Sequence, residues 1–237
     1  MWNDAIDLRD FYAGPLGRVA RRMIARRLRS LWPDVRGMTV LGLGYALPYL
    51  GVFRSEAARV IAAMPAPQGV VAWPAEGPQL AMLVDETDLP LPDRAIDRIL
   101  LVHALECAER TRPMLRELWR VLADGGRMIV IAPNRRGLWA RFERTPFGHG
   151  RPYTEGQLSR GLRDSLFTPH LATSALFVPP IRSVLVLSSA SAWESMGERW
   201  FPSFAGVVVF EATKQIHAVR LTTAGAYAPA YAVLPSR

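Results

Sequence analysis

Apolar and polar positions along the chain follow two rhythms. In "RVARRMIARRLRSLW", residues 18–32, Val19, Ala20, Met23, Ile24, Leu28 and Leu31 return at helical spacing, continuing from Leu16. Arg18, Arg22 and Arg29 fall on the opposite side, so the segment predicts an amphipathic helix with an arginine face toward solvent. Apolar runs then follow at 38–43, 58–63, 80–84, 97–102 and 127–132. Several are continuous rather than alternating, the pattern of strands covered on both faces. Before the last of them, "TRPMLRELWRVLADGG" predicts a well-defined helix. Thr111 is its expected cap and Pro113 suits its first turn. Leu115, Leu118, Trp119 and Leu122 form its buried stripe, and Gly125 or Gly126 is its expected end. Strands alternating with helices predict an α/β fold with a mostly parallel sheet and helices on both faces. Ligands of such sheets bind at the carboxyl ends of the strands, near the switch point beside the first strand.

The style changes past Pro133. "NRRGLWARFERTPFGHGRPY" reads as a long polar and aromatic loop. Thr154 and Gln157 then form a capping box for a helix over 155–166. Strands at 175–179 and 205–213 flank a further helix near 182–197. The tail from Thr222, rich in Ala, Pro and Tyr, is expected to run loosely over the surface.

Composition narrows the classes. The chain has 237 residues, 50% apolar and 21% charged, which suits one globular core. The uncharged run Met38 to Phe53 is too short, and too broken by Gly and Pro, for a membrane span. "MWNDAIDLRD" lacks the basic-then-apolar layout of a secretory signal, so the expected location is cytoplasmic. The only cysteine, Cys107, excludes an internal disulfide and a thiolate zinc cage; it reads as a small residue in or beside a helix rather than a nucleophile. No metal cluster or nucleophile–base triad is visible. The net charge of +8 invites an anionic partner. Yet Lys214 is the only lysine and the arginines are spread along the chain, so nucleic acid is not the expected partner.

The segment "VLGLGYALPYLG", residues 40–51, runs a strand into Gly42 and Gly44, followed by Tyr45, Ala46 and Pro48. Alone it is a weak sign of a nucleotide-type turn. The stretch 84–134, "VDETDLPLPDRAIDRILLVHALECAERTRPMLRELWRVLADGGRMIVIAPN", is far more specific. It resembles class I S-adenosylmethionine-dependent methyltransferases of the type 11 kind. Their pattern runs D-x-x-x-L-P-F-P-D-x-S-F-D, then H-x-L-E-H, then L-R-E-x-x-R-V-L-x-P-G-G-x-L. The matches are Asp85, Leu89-Pro90, Pro92-Asp93, Ile96-Asp97, His103, Leu105-Glu106, Leu115-Arg116-Glu117, Arg120-Val121-Leu122 and Gly125-Gly126. The likeness extends more loosely over 38–213.

The resemblance implies a Rossmann-like seven-stranded sheet whose last two strands form an antiparallel pair, and S-adenosylmethionine as cofactor. Carried onto this chain, the cofactor residues are Gly42, Gly44, Tyr45, Ala46, Met64, Asp85, Glu86 and His103. Asp85 would lie near the adenine, and His103 with Glu106 beside the methionine end and the substrate mouth. The chain is organised as one methyltransferase-like domain, with a helical segment 1–36, a cofactor-type half 37–134, a cap loop and C-terminal strands 135–221, and the tail 222–237.

Departures from the family pattern sit around the first two strands. Gly42 stands where the first strand normally ends in an acid; Ala46 and Pro48 replace two small turn residues. Met64 or Ala63 stands where the second strand normally ends in the acid that grips the ribose hydroxyls. Such hydrogen bonds are worth about 1.5–3 kcal/mol each, so losing both weakens binding roughly a hundredfold unless another acid reaches in. Glu76, Asp85 and Glu86 are the candidates for that replacement.

The loop after the fifth strand carries Asn134, Arg135, Arg136, Trp139, Arg141, Phe147, His149, Arg151 and Tyr153. Asn134, Arg135, Arg136, Trp139 and Arg151 are the candidate substrate or partner contacts, since arginines with aromatics suit anionic planar groups and protein hot spots alike. His103, His149 and Tyr153 are the candidate bases. The expected function is methyl transfer to a small or medium anionic molecule. The alternative is an inactive methyltransferase-like fold that binds or regulates a partner protein, with a first-strand pocket filled by Tyr45, Leu47 or Met64. An RNA or DNA modifier is the remotest reading. An oligomer is compatible with all three.

Overall fold

A computed structural model describes residues 4–215; the tail expected from Thr222 lies outside the described residues. Seven strands form one sheet in the order β3-β2-β1-β4-β5-β7-β6. They are β1 (Thr39–Gly44), β2 (Arg59–Pro65), β3 (Ala81–Val84), β4 (Ile96–Val102), β5 (Leu122–Pro133), β6 (Phe167–Ala175) and β7 (Val207–Lys214). The first five run parallel; β7 pairs antiparallel with β5 and with β6. The expected seven-stranded class I methyltransferase sheet is therefore present, with its antiparallel final pair.

Alternate residues of each strand face opposite layers. Val40, Ala62, Leu100, Val102 and Ile129 pack toward α1 (Ala5–Ala13), α2 (Pro15–Leu31) and the short α3 (Leu47–Leu50). Leu41, Leu43, Ile99, Leu101 and Met128 pack toward α4 (Thr111–Val121) and α5 (Glu155–Asp164). The arginine-bearing helix is α2, as its periodicity predicts, and its buried residues include Leu16, Val19, Ala20, Met23, Ile24 and Leu28. The preceding α1, capped by the Asp4 carboxylate, had no clear periodic signal. The two helices cross closely at Gly17, where an added Cβ would stand 2.0 Å from the Phe11 carbonyl oxygen. That crossing lays Phe11 and Tyr12 over the first-strand turn.

Four local expectations are corrected. The α4 helix stops at Val121 rather than at the glycines, because Leu122 already pairs with Ile96 and its carbonyl accepts from Lys214 Nζ at 3.0 Å. Gly125, at φ 80, instead turns the backbone within β5. Thr111 is the first helical residue rather than the cap, and its side chain meets the Tyr153 hydroxyl. The strand expected at 175–179 lies at Phe167–Ala175. Its edge position leaves a mixed polar pattern, and the following Leu176 is left-handed at φ 69. The amides of Leu176 and Phe177 are held by the Glu194 carboxylate, 2.8 Å each. Glu194 belongs to α7 (Ala190–Trp200), which with α6 (Val184–Ser188) replaces the single helix expected near 182–197. The Thr154–Gln157 capping box opens α5 as predicted.

Candidate functional site

At the carboxyl ends of β2, β3 and β4 the chain leaves a small, partly open cavity of about 60 Å³. Pro65 and Gln68 approach it from the end of β2, Glu86 from the end of β3, and His103, Ala104 and Cys107 from the end of β4. Gln68 is 5% exposed. Its Nε2 donates to the His103 carbonyl at 2.7 Å, while its Oε1 is buried without a partner among the described residues. A buried acceptor left unpaired costs about 1–3 kcal/mol, so this atom stands ready for a donor. Burial, and then Glu106, push the Cys107 thiol up to about 12, so it stays neutral.

His103 sits where β4 leaves the sheet, in the left-handed region at φ 51. It is 2% exposed, and its ring packs on Phe147 at 4.9 Å between centroids. Its Nδ1 lies 3.1 Å from Glu106 Oε1 and its Nε2 2.8 Å from the Tyr12 hydroxyl. The Tyr49 hydroxyl donates to Tyr12 at 3.0 Å, so the Tyr12 proton is directed at His103 Nε2. The Nδ1 proton then points at Glu106, a tautomer inferred from this hydrogen-bond network. Burial above all, then Tyr49, raises the Tyr12 pKa well above the phenol range, so its hydroxyl keeps its proton. The Tyr12 ring also stacks on Tyr45 at 5.9 Å.

Tyr12 and Tyr45 form part of the floor of a second, open cleft of about 810 Å³ between α1, α2, the first-strand turn and residues 71–73. The Tyr12–His103 hydrogen bond thus stands between the strand-end cavity and this cleft.

The other residues singled out from sequence are placed as follows. Gly42 gives up its side-chain space to Ala46 and Leu50, whose atoms lie 2.7 Å from where a Cβ would stand. Gly44, at φ 83, leaves no room for a side chain either: a Cβ there would stand 2.3 Å from the Val102 carbonyl oxygen. Met64 is fully buried on the α2 side of the sheet. Asp85 is exposed and its carboxylate accepts from the Thr87 amide and hydroxyl at 2.8 and 2.7 Å. Those bonds, and then Arg110, hold its pKa below the usual carboxylate range. Of the residues proposed for the cofactor, the cavity therefore brings together Glu86 and His103.

The loop after β5 is largely self-packed. Asn134 holds the Ser203 and Ala205 carbonyls at 3.0 and 2.9 Å, and Trp139 Nε1 donates to the Val178 carbonyl at 2.8 Å. Arg135 donates to the Pro152 carbonyl, and Arg136 is exposed. The Arg151 amide donates to the Glu106 carbonyl at 2.9 Å, so the loop props the segment that carries Glu106. His149 Nε2 donates to the Glu143 carbonyl at 2.6 Å. Tyr153 is half-buried and its hydroxyl reaches the Leu105 carbonyl at 3.4 Å. Among the described residues no group of His, Cys, Asp and Glu is placed to hold a metal, and no helix is long and apolar enough to cross a membrane.

Residues 41–130 match the family model of a methyltransferase domain of the type 11 kind. Over that stretch the chain is similar to class I S-adenosylmethionine-dependent methyltransferases, and its sheet has their fold. Demethylmenaquinone methyltransferase of Thermus thermophilus is 29% identical over 126 residues, 52% of this chain and 50% of that enzyme. The chain thus spans about half the length of that curated relative. Among solved structures, a methyltransferase of Thermotoga maritima superposes with a TM-score of 0.60 at 19% identity, over 87% of this chain and 94% of that one. Geranyl diphosphate C-methyltransferase of Streptomyces coelicolor gives 0.56 at 16% identity, over 80% and 76%. These two likenesses bear on the fold alone.

That likeness implies S-adenosylmethionine, and the strand-end cavity offers it hydrogen-bond acceptors and apolar walls. Gln68 Oε1 and Glu86 offer acceptors, and Ala104, Ala108 and Met114 offer apolar walls. Sequence reasoning missed Gln68, Tyr12 and Tyr49. For Gln68 a signal existed: it is the first polar side chain in "MPAPQG" after the second strand.

Proposed function

We propose that the chain catalyses methyl transfer from S-adenosylmethionine to a small or medium anionic molecule. The observation that carries this reading is the strand-end cavity holding the buried, unpartnered acceptor Gln68 Oε1 beside the His103–Glu106 pair. Gln68 and Glu86 would hold the cofactor's adenosine. When bound, the cofactor supplies an electrophilic methyl group. His103 is the group suited to take the acceptor's proton at Nε2, because Glu106 accepts from Nδ1 and fixes the ring. Tyr12 covers Nε2 in this structure, so an acceptor reaches it only when Tyr12 swings away with α1. The loop carrying Arg151 and Phe147 keeps Glu106 and the imidazole in place and water out.

Calorimetry with S-adenosylmethionine and S-adenosylhomocysteine tests this. Saturable heat, weakened in Gln68→Leu, is the expected result. No heat at millimolar ligand from folded wild-type protein would overturn it. That outcome would favour the second reading, a partner-binding protein on this fold. Its supporting observation is that Tyr45, Leu47 and Met64 are buried at the first-strand turn and Tyr12 plugs it.

A further inference from the structure

The open cleft has an unusual distribution of charge. Five arginines line it: Arg9 from α1, and Arg18, Arg21, Arg22 and Arg26 from α2. Arg9 pairs with the neighbouring Asp10, and Arg18 donates to the Ala13 carbonyl. Arg21, Arg22 and Arg26 are exposed and have no carboxylate partner among the described residues. Two other arginines of the same helix lie outside the cleft, and both are paired: Arg27 with Glu198 and Arg29 with Glu56. Unneutralised charge is thus concentrated on the cleft, not spread over the helix. No carboxylate lines the cleft among the described residues.

The floor is apolar and aromatic. Tyr12, Tyr45 and Leu47 are buried beneath it, and Val71 and Trp73 wall the far side. The volume, about 810 Å³, lies within the ~300–1,000 Å³ range of small-molecule sites. Guanidinium groups bind phosphate bidentately, and an apolar floor beside them takes hydrocarbon.

We propose that this cleft binds a soluble amphiphile with a phosphate or diphosphate head and an apolar tail, the head on Arg21, Arg22 and Arg26 and the tail against Tyr45, Val71 and Trp73. The assignment of that ligand as the methyl acceptor rests on the methyl-transfer reading above; the binding itself does not. Nucleic acid suits the cleft less well. A duplex or tRNA backbone needs an extended basic face, and carboxylates pair the arginines that follow the cleft toward the end of this helix.

The test is calorimetry on the full chain with farnesyl diphosphate, inorganic pyrophosphate, tRNA and phosphatidylglycerol vesicles. Farnesyl diphosphate is expected to bind about tenfold or more tighter than pyrophosphate, with both weakened about tenfold in R22Q/R26Q. Trp73→Leu is expected to weaken farnesyl diphosphate and leave pyrophosphate unchanged. Both arginines are exposed, so the double variant should keep the wild-type circular dichroism; a single R22Q with a smaller loss gives the same reading if it does not. Equal binding by wild type and arginine variants, or binding only of tRNA or only of vesicles, overturns the proposal. S-adenosylhomocysteine is titrated in parallel. If it fails to bind while the arginine-dependent phosphate heat persists, the methyl-transfer reading falls and the cleft stands.

Discussion

On one side of the Tyr12–His103 hydrogen bond lies a small, partly open cavity of about 60 Å³; on the other lies a wide cleft of about 810 Å³. The cavity is built at strand ends. Sheet register fixes the backbone of Pro65, Val84 and Val102, so the residues that follow converge on one point. Its polar atoms are few and buried, and shape dominates. The cleft is built from helix surfaces and a turn. Its polar groups are long, exposed and of one sign, and charge dominates. A parallel sheet thus supplies a tight, directional site, while helices laid over its edge supply a tolerant one. The same hydrogen bond borders both, so a change at Tyr12 or His103 reports on the two together.

The largest expected effect breaks the shared wall. His103→Ala and Glu106→Gln should each lower methyl-transfer turnover by roughly 10²–10⁴-fold, the usual range for losing a positioned base. In Glu106→Gln, which leaves the cavity lining intact, binding of S-adenosylhomocysteine should stay within a few-fold, which separates loss of chemistry from loss of the cavity. Turnover within threefold of wild type would remove His103 from the reaction.

Next, Gln68→Leu should weaken S-adenosylhomocysteine about tenfold or more, in line with a buried hydrogen bond of about 1.5 kcal/mol. Phosphate binding at the cleft should not change. A cofactor affinity indifferent to this substitution would shift the adenosine contact to Glu86 on the cavity wall.

Tyr12→Phe should cost about 1–2 kcal/mol of stability by urea unfolding, because it strips partners from His103 Nε2 and the Tyr49 hydroxyl. It should also loosen the wall and raise the rate at which ligands enter the cavity, measured by stopped-flow. Unchanged stability would mean that water replaces the lost hydroxyl.

The smallest effect concerns Cys107. Its thiol is pushed up to about 12, so the thiolate fraction at pH 8 is only about 10⁻⁴. Alkylation by iodoacetamide should be slow at pH 8 and should quicken only as pH climbs toward 12. Rapid labelling at pH 8 would show that the cavity opens freely and that the two sites differ less in enclosure than their static shapes imply.

Much of the sheet was legible because its strands are continuous apolar runs and α4 has a strong stripe. The final strand, expected at 205–213, is β7 at Val207–Lys214, whereas β6 and the helices near 184–200 were less legible. Edge strand β6 alternates weakly, and Leu176 departs from regular geometry to suit Glu194. In the candidate site, His103 and Glu106 stood out as a motif, whereas their partners did not. Tyr12 is 91 positions from His103, and nothing local marks the contact.

The sequence by itself determined the alternation of strands and helices, the amphipathic α2, the Thr154 capping box and the motif at 84–134. These are short-range features, set by periodicity, backbone preference and adjacent side chains. Only the tertiary structure decided that Gly42 and Gly44 are packed by the chain's own atoms, that Gln68 rather than Asp85 turns into the cavity, and that Tyr12 closes His103. It alone also sorted α2's arginines into paired ones and unpaired ones facing a cleft. Apart from Gly42, which Ala46 and Leu50 of its own turn fill, each of these depends on which distant segment lies across the residue, and that is set by close packing of helices and by sheet order, which no local pattern encodes.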